Sequence, residues 1–79
     1  MSTQNPLEQS VRDRLELYFA DLGESQPHDM LAMVISCVER PVLQVALEKC
    51  NGNQSKAAEM LGITRSTLRK KLAAHDIQP

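Results

Sequence analysis

The segment MLAMVISCVERPVLQVALEK, residues 30–49, constrains this chain more than any other. Met30, Leu31, Met33, Val34, Ile35, Cys37 and Val38 cannot all share one helical stripe about 100° wide, so a helix here is apolar on more than one side. Something must cover both sides. The chain has 79 residues, and a fold of that size buries only roughly 60% of the surface its unfolded chain exposes. Cover from a partner chain is therefore expected.

Pro41 falls inside the segment, where it removes a backbone hydrogen bond. Because VLQVALEKC resumes the apolar pattern at once, a kink is expected rather than a break. Upstream, Asn5-Pro6-Leu7-Glu8 is a helix start: Asn caps, Pro suits the first helical position and Glu8 completes a capping box. Leu7, Val11, Leu15, Tyr18, Phe19 and Leu22 then recur every three or four residues until Gly23. GESQPHD is a loop into the second helix, which begins near Asp29. Downstream, Asn51-Gly52-Asn53 is a turn in which Gly52 can take a positive φ and Asn53 can cap. QSKAAEML forms a third helix ended by Gly62, and Thr64 caps a fourth, RSTLRKKLAA. With one Tyr, one Phe and no Trp, aliphatic residues and Met must do the packing, which favours helices. The expected fold is all-α, with four helices in one domain and no alternating strand pattern.

Cys37 and Cys50 do not form a CxxC pair and are too few for a disulfide scaffold; they read as small apolar residues of a reduced helical core, with a bridge left open. No apolar stretch is expected to reach the ~20 residues that span a bilayer. MSTQNPLEQS lacks the basic and then apolar order of a signal peptide, so a cytoplasmic protein without membrane contact is expected. His28 and His75 stand far apart with no nucleophile or metal-ligand set beside them and read as surface histidines. The Met residues read as core filler. No enzyme, catalytic residue, metal, cofactor or small-molecule ligand is expected.

Charge is divided along the chain. Residues 1–48 hold three arginines against eight acids, a net of -5, whereas residues 49–71 hold six cations against Glu59 alone, a net of +5. Such a run can be a solvated helix face or a surface that displaces counterions from DNA. Two short helices joined by a Gly-containing turn favour the second, because this is the layout of a helix-turn-helix. Ala57 and Ala58 permit close approach, Leu61 and Ile63 fill the corner, and Leu68 with Leu72 anchor the final helix. Ser66, Arg69 and Lys70 then lie roughly opposite, and Arg65 projects from the first turn, the part of a recognition helix that meets base edges. Arg65 can donate two hydrogen bonds to guanine, worth ~1 to 3 kcal/mol of discrimination. Asn53 and Ser55, at the start of the third helix, can hold a phosphate, and Lys56, Arg69, Lys70 and Lys71 are assigned to phosphates.

From Pro6 onward the chain resembles the Fis family of nucleoid-associated DNA-bending proteins. The resemblance rests on PL at 6–7, YFA at 18–20, Val38, Glu39 and Pro41, GNQ at 52–54, AA at 57–58, GI at 62–63 and TLRKKL at 67–72. The C-terminal half is also similar to the DNA-binding domain of NtrC-type activators of sigma-54 transcription.

The resemblance implies an intertwined homodimer built from residues 5–50, with Leu15, Phe19, Leu31, Val34, Val38 and Leu43 in its core, and a DNA-binding region over residues 51–79. It implies DNA contacts from Asn53, Ser55, Arg65, Thr67, Arg69, Lys70 and Lys71, with Thr64 at the position where enteric Fis places an Asn in the groove. It also implies recognition helices set closer than one turn of B-DNA, so that DNA bends and A·T-rich centres are favoured. RNA polymerase is a further candidate partner. Asn51, Ala73 and Ala74 replace basic residues, which implies fewer contacts to flanking DNA. Only Met1 to Asn5 precede the first helix, where enteric Fis carries the β-hairpin arm that activates DNA invertases, so invertase activation is not expected. Two other readings stay open: the terminal domain of a larger sigma-54 activator, and a helical module whose basic helix meets an acidic protein.

Overall fold

The computed structural model describes residues 5–78. Four helices follow in chain order: α1 (Pro6–Leu22), α2 (Met30–Lys49), α3 (Gln54–Leu61) and α4 (Arg65–Ala74). Among the described residues there is no strand, in agreement with the all-α expectation. The readings made for Met1 to Gln4, as neither signal peptide nor invertase-activating arm, lie outside the described residues.

Helix starts follow from local side-chain chemistry. The Asn5 Oδ1 accepts the Glu8 backbone N–H at 2.7 Å, and the Glu8 carboxylate accepts the Asn5 N–H at 3.1 Å, a complete capping box. Asn53 Oδ1 accepts the Lys56 N–H at 3.0 Å, and Thr64 Oγ1 accepts the Thr67 N–H at 3.1 Å. Asp29, by contrast, precedes α2 in the left-handed conformation with φ 52° and makes no side-chain cap.

Three helices end in the same way. The N–H of Gly52, Ile63 and Ile77 donates to the carbonyl five residues back, at Leu47, Ala58 and Leu72, across a left-handed residue. At the end of α3 that residue is Gly62 (φ 77°), as the sequence indicates. After α2 it is Asn51 (φ 53°) as well as Gly52, so the turn takes two positive φ angles where one was expected. Asn adopts the region because its short polar side chain bonds locally. After α4 it is Asp76 (φ 55°), which folds Ile77 back onto the core.

That core is local. Leu43, Ala46 and Leu47 of α2, Ala57 and Ala58 of α3, and Leu68 and Leu72 of α4 form the buried cluster among the described residues, edged by Cys50, Leu61, Ile63 and Ile77. The small alanines of α3 let the helices approach, and the two leucines of α4 fill the gap. α1 contributes no buried residue. The radius of gyration is 15.3 Å, against about 12 Å for a compact domain of this length. The N-terminal part of the chain is therefore spread out, not folded onto the helix-turn-helix.

α2 runs through Pro41 without a break. It also corrects the expectation about membranes: over 18 residues its mean hydropathy is 1.6, so by length and composition it is long and apolar enough to cross a bilayer. Glu39 and Arg40 stand at its centre, yet the flanking Val, Ile and Leu outweigh two charges in the average. Both charged residues bond to the end of α4, and a hydrocarbon interior has no favourable place for such a charged contact. Cys37 departs from the core expectation too, being exposed on α2, while Cys50 packs at the core edge; both thiols are free.

Candidate nucleic-acid interface

The interface follows from the way α4 is seated. Leu68 and Leu72 are one helical turn apart and face inward, which sends Ser66 and Lys70 almost straight out and sets Arg69 and Lys71 about 80° to either side of the apolar seam. The capped turn beneath them holds the N-terminal end of α4 in place. Thr64 and Thr67 are joined there by a 2.9 Å hydroxyl contact in addition to the cap bond. These two bonds fix the conformation from which Arg65 projects.

The expected site residues fall into three groups. Asn53, Ser55, Lys56, Thr64, Arg65, Arg69 and Lys70 are exposed, and Thr67 is partly so. Lys56, Arg65, Arg69 and Lys70 pair with no acid among the described residues, so their charge is available to an external anion. The Asn53 Oδ1 is used in capping α3, leaving the amide N–H groups to donate outward. Lys71 stands apart: its Nζ lies 2.8 Å from Glu39 Oε2 of α2.

The Lys71 contact belongs to a cluster that the sequence reading missed. Glu39 Oε1 lies 2.8 Å from His75 Nε2, and the Arg40 guanidinium donates to the His75 carbonyl. The hydrogen bond from Lys71, followed by that from His75, holds the Glu39 carboxyl below its ordinary value of 4.5. His75, expected on the surface, keeps only 11% of its side chain exposed. No spacing rule could have paired residues that stand 32 and 36 positions apart.

The residues expected in a dimer core are separated in the single chain. Leu15, Val34 and Val38 are half-buried and line a groove of about 710 Å³ between α1 and α2. Phe19 and Leu31 remain 44% and 73% exposed. Leu43 is buried within the chain's own core, against α3 and α4.

Residues 35–75, which include the second half of α2 and both helices of the helix-turn-helix, match the sequence model of the bacterial regulatory proteins of the Fis family. The chain belongs to the Fis family. It is 44% identical over 75 residues to a Fis-like DNA-binding protein of Ralstonia nicotianae, covering 95% of this chain and 97% of that one. It is 48% identical over 71 residues to a Fis-like DNA-binding protein of Neisseria meningitidis, with 90% of each chain covered. The DNA-binding protein Fis of Proteus vulgaris is 46% identical over 70 residues, covering 89% of this chain and 75% of that protein. The Fis-family match takes in Glu39, Lys71 and His75, so the cluster beneath α4 lies within the family region.

Proposed function

We propose that this Fis-family chain is a non-enzymatic homodimer that binds and bends double-stranded DNA and acts as a nucleoid-associated regulator in the bacterial cytoplasm. The observation that carries the reading is the free positive charge of α4. Arg65, Arg69 and Lys70 are exposed and unpaired with acids among the described residues, on a helix whose inner face is fixed by Leu68 and Leu72. Arg65, from the first turn, reads guanine; Arg69 and Lys70 bind phosphates, and Asn53, Ser55 and Lys56 extend the phosphate contacts from α3.

Dimerisation is supported by the uncovered apolar surface. Leu7, Val11, Leu15, Val34, Val38 and Val42 line the open groove, and the extended shape leaves α1 without buried contacts of its own. A second copy covers this surface at no cost in new polar groups, because the groove lining is almost wholly apolar. Two recognition helices carried by such a dimer contact DNA on one face, and bending brings more phosphates within their reach.

The test is a titration against a ~30-base-pair duplex over a salt series, with light scattering on the free chain. Dimer mass and an affinity that falls steeply with salt are expected, since each neutralised phosphate contributes about 0.9 to the slope of log affinity against log salt. A monomer that fails to bind at physiological salt contradicts the reading.

A further inference from the structure

We propose that Glu39 is a positioning residue for the recognition helix α4 and that it withholds Lys71 from the phosphate-binding set; the proposal rests on the DNA-binding reading above. Leu68 and Leu72 lie on one line along α4. Two anchors on a line hold a short helix against the core, but they resist rotation about that line only weakly. Resistance must come from a second row.

Lys71 and His75 supply it. They too are one turn apart, in the row beside the leucines, and both meet one carboxylate of α2: Lys71 Nζ at 2.8 Å from Oε2 and His75 Nε2 at 2.8 Å from Oε1. Both oxygens of Glu39 are therefore engaged. The next residue, Arg40, donates to the carbonyl of His75, at the helix end where carbonyls lack helical partners and a cation is favoured. Rotating α4 about its leucine line would stretch all three bonds. The directions of Arg69 and Lys70 are thereby fixed from the far side of the helix, and that of Arg65 is fixed with them because the helix turns as a unit.

The same geometry decides the charge that DNA meets. Of the three basic residues in Arg69-Lys70-Lys71, two are free among the described residues and the third has an acid at hydrogen-bond distance. For Lys71 to bind a phosphate it must leave Glu39, which strips that carboxylate of a partner beside a polyanion. The local net charge then gains nothing, so Lys71 releases no counterion of its own.

The proposal is tested by salt series on a ~30-base-pair duplex bearing edge guanines, with Lys70→Ala, Lys71→Met, Glu39→Gln and the double variant Glu39→Gln/Lys71→Met. Methionine keeps the packing of the lysine stem. Lys70→Ala should flatten the log–log slope by about 0.9 per chain, and Lys71→Met, which leaves the Glu39 carboxylate without its cation, should flatten it only while that carboxylate is present. Glu39→Gln should steepen it, and the double variant should return it to the parent value. Glu39→Gln, with its helix content verified, should also discriminate less between guanine and adenine at the site edge, an effect that mere loss of stability would not produce. A slope for Glu39→Gln/Lys71→Met as flat as that of Lys70→Ala overturns the proposal, as does unchanged base discrimination in Glu39→Gln.

Acetylation of the free protein, followed by mass spectrometry, decides the matter without DNA. Lys71 should react several-fold more slowly than Lys70, and the difference should vanish in Glu39→Gln; equal rates in the parent overturn the withholding. If the parent binds no duplex, the DNA-binding reading falls by itself, while the acetylation rates still decide whether Glu39 holds Lys71.

Discussion

Glu39 Oε1 and His75 Nε2 stand 2.8 Å apart, joining the middle of α2 to the residue that follows α4. With Lys71 on its other oxygen, the Glu39 carboxyl titrates below its ordinary value of 4.5 in the folded chain. A depressed carboxylate contributes stability that is complete above its unfolded value and is lost as pH falls through the lower, folded value. Parent and Glu39→Gln should therefore differ by about 1 kcal/mol near neutrality, the scale for a half-exposed pair, and converge as the solution is acidified well below pH 4.5. Thermal unfolding from neutral to strongly acidic pH checks this; a constant difference throughout would mean that the Glu39 contacts do not persist in solution.

Arg65 and Lys70 should separate by role. Arg65→Ala is expected to relax the preference for guanine at each site edge, at a loss of ~1 to 3 kcal/mol for the preferred sequence. Lys70→Ala is expected to weaken all sequences alike, because a phosphate carries no base identity. Selection from a randomised duplex pool distinguishes them, and an unchanged consensus for Arg65→Ala would show that α4 does not enter the groove by its first turn.

Val38 tests the dimer surface. In the single chain it is half-buried at the α1–α2 groove, outside the buried cluster, so an aspartate there would remain solvated if the groove stayed open. Covered by a second copy, the same carboxylate would be buried without a partner. Val38→Asp should abolish the folded dimer in light scattering and circular dichroism. A variant that retains dimer mass and parental stability would place the dimer contact elsewhere.

Gly62 tests the turn of the helix-turn-helix. Its φ is 77°, and no atom stands within 4 Å of where a Cβ would be built, so an alanine is opposed by backbone conformation alone. Gly62→Ala should cost about 1 kcal/mol, whereas Gly62→Asn should cost less. Chemical denaturation measures both, and an alanine variant as stable as the parent would refute the assignment.

These positions also show how much a reader of the sequence could see. The starts of α1, α3 and α4 were legible because Asn5, Asn53 and Thr64 cap by contacts three residues away, within the range of local pattern. The inward leucines of α4 were legible for the same reason. The left-handed Asn51 was not, since Gly52 beside it looked sufficient for the turn. Leu43 was placed in a dimer core by the family resemblance, and its burial against α3 and α4 was not legible, because an apolar face on a helix does not say which surface will cover it. The Glu39 cluster is tertiary: it exists only once α4 lies across α2, and it turns one expected phosphate contact, Lys71, toward an intramolecular acid. The exposure of Arg65, Arg69 and Lys70 was thus readable, and the contacts that tie α4 to Glu39 were not.

The most direct measurement is the gel mobility of the bound chain on circularly permuted fragments at physiological salt, with edge guanines and either A·T-rich or G·C-rich centres. Tight binding, with mobility that varies with the position of the site and is retarded more by the A·T-rich centre, is the expected result for a Fis-family dimer that bends DNA through α4. Mobility independent of site position and indifferent to the centre, or no binding at all, would contradict it.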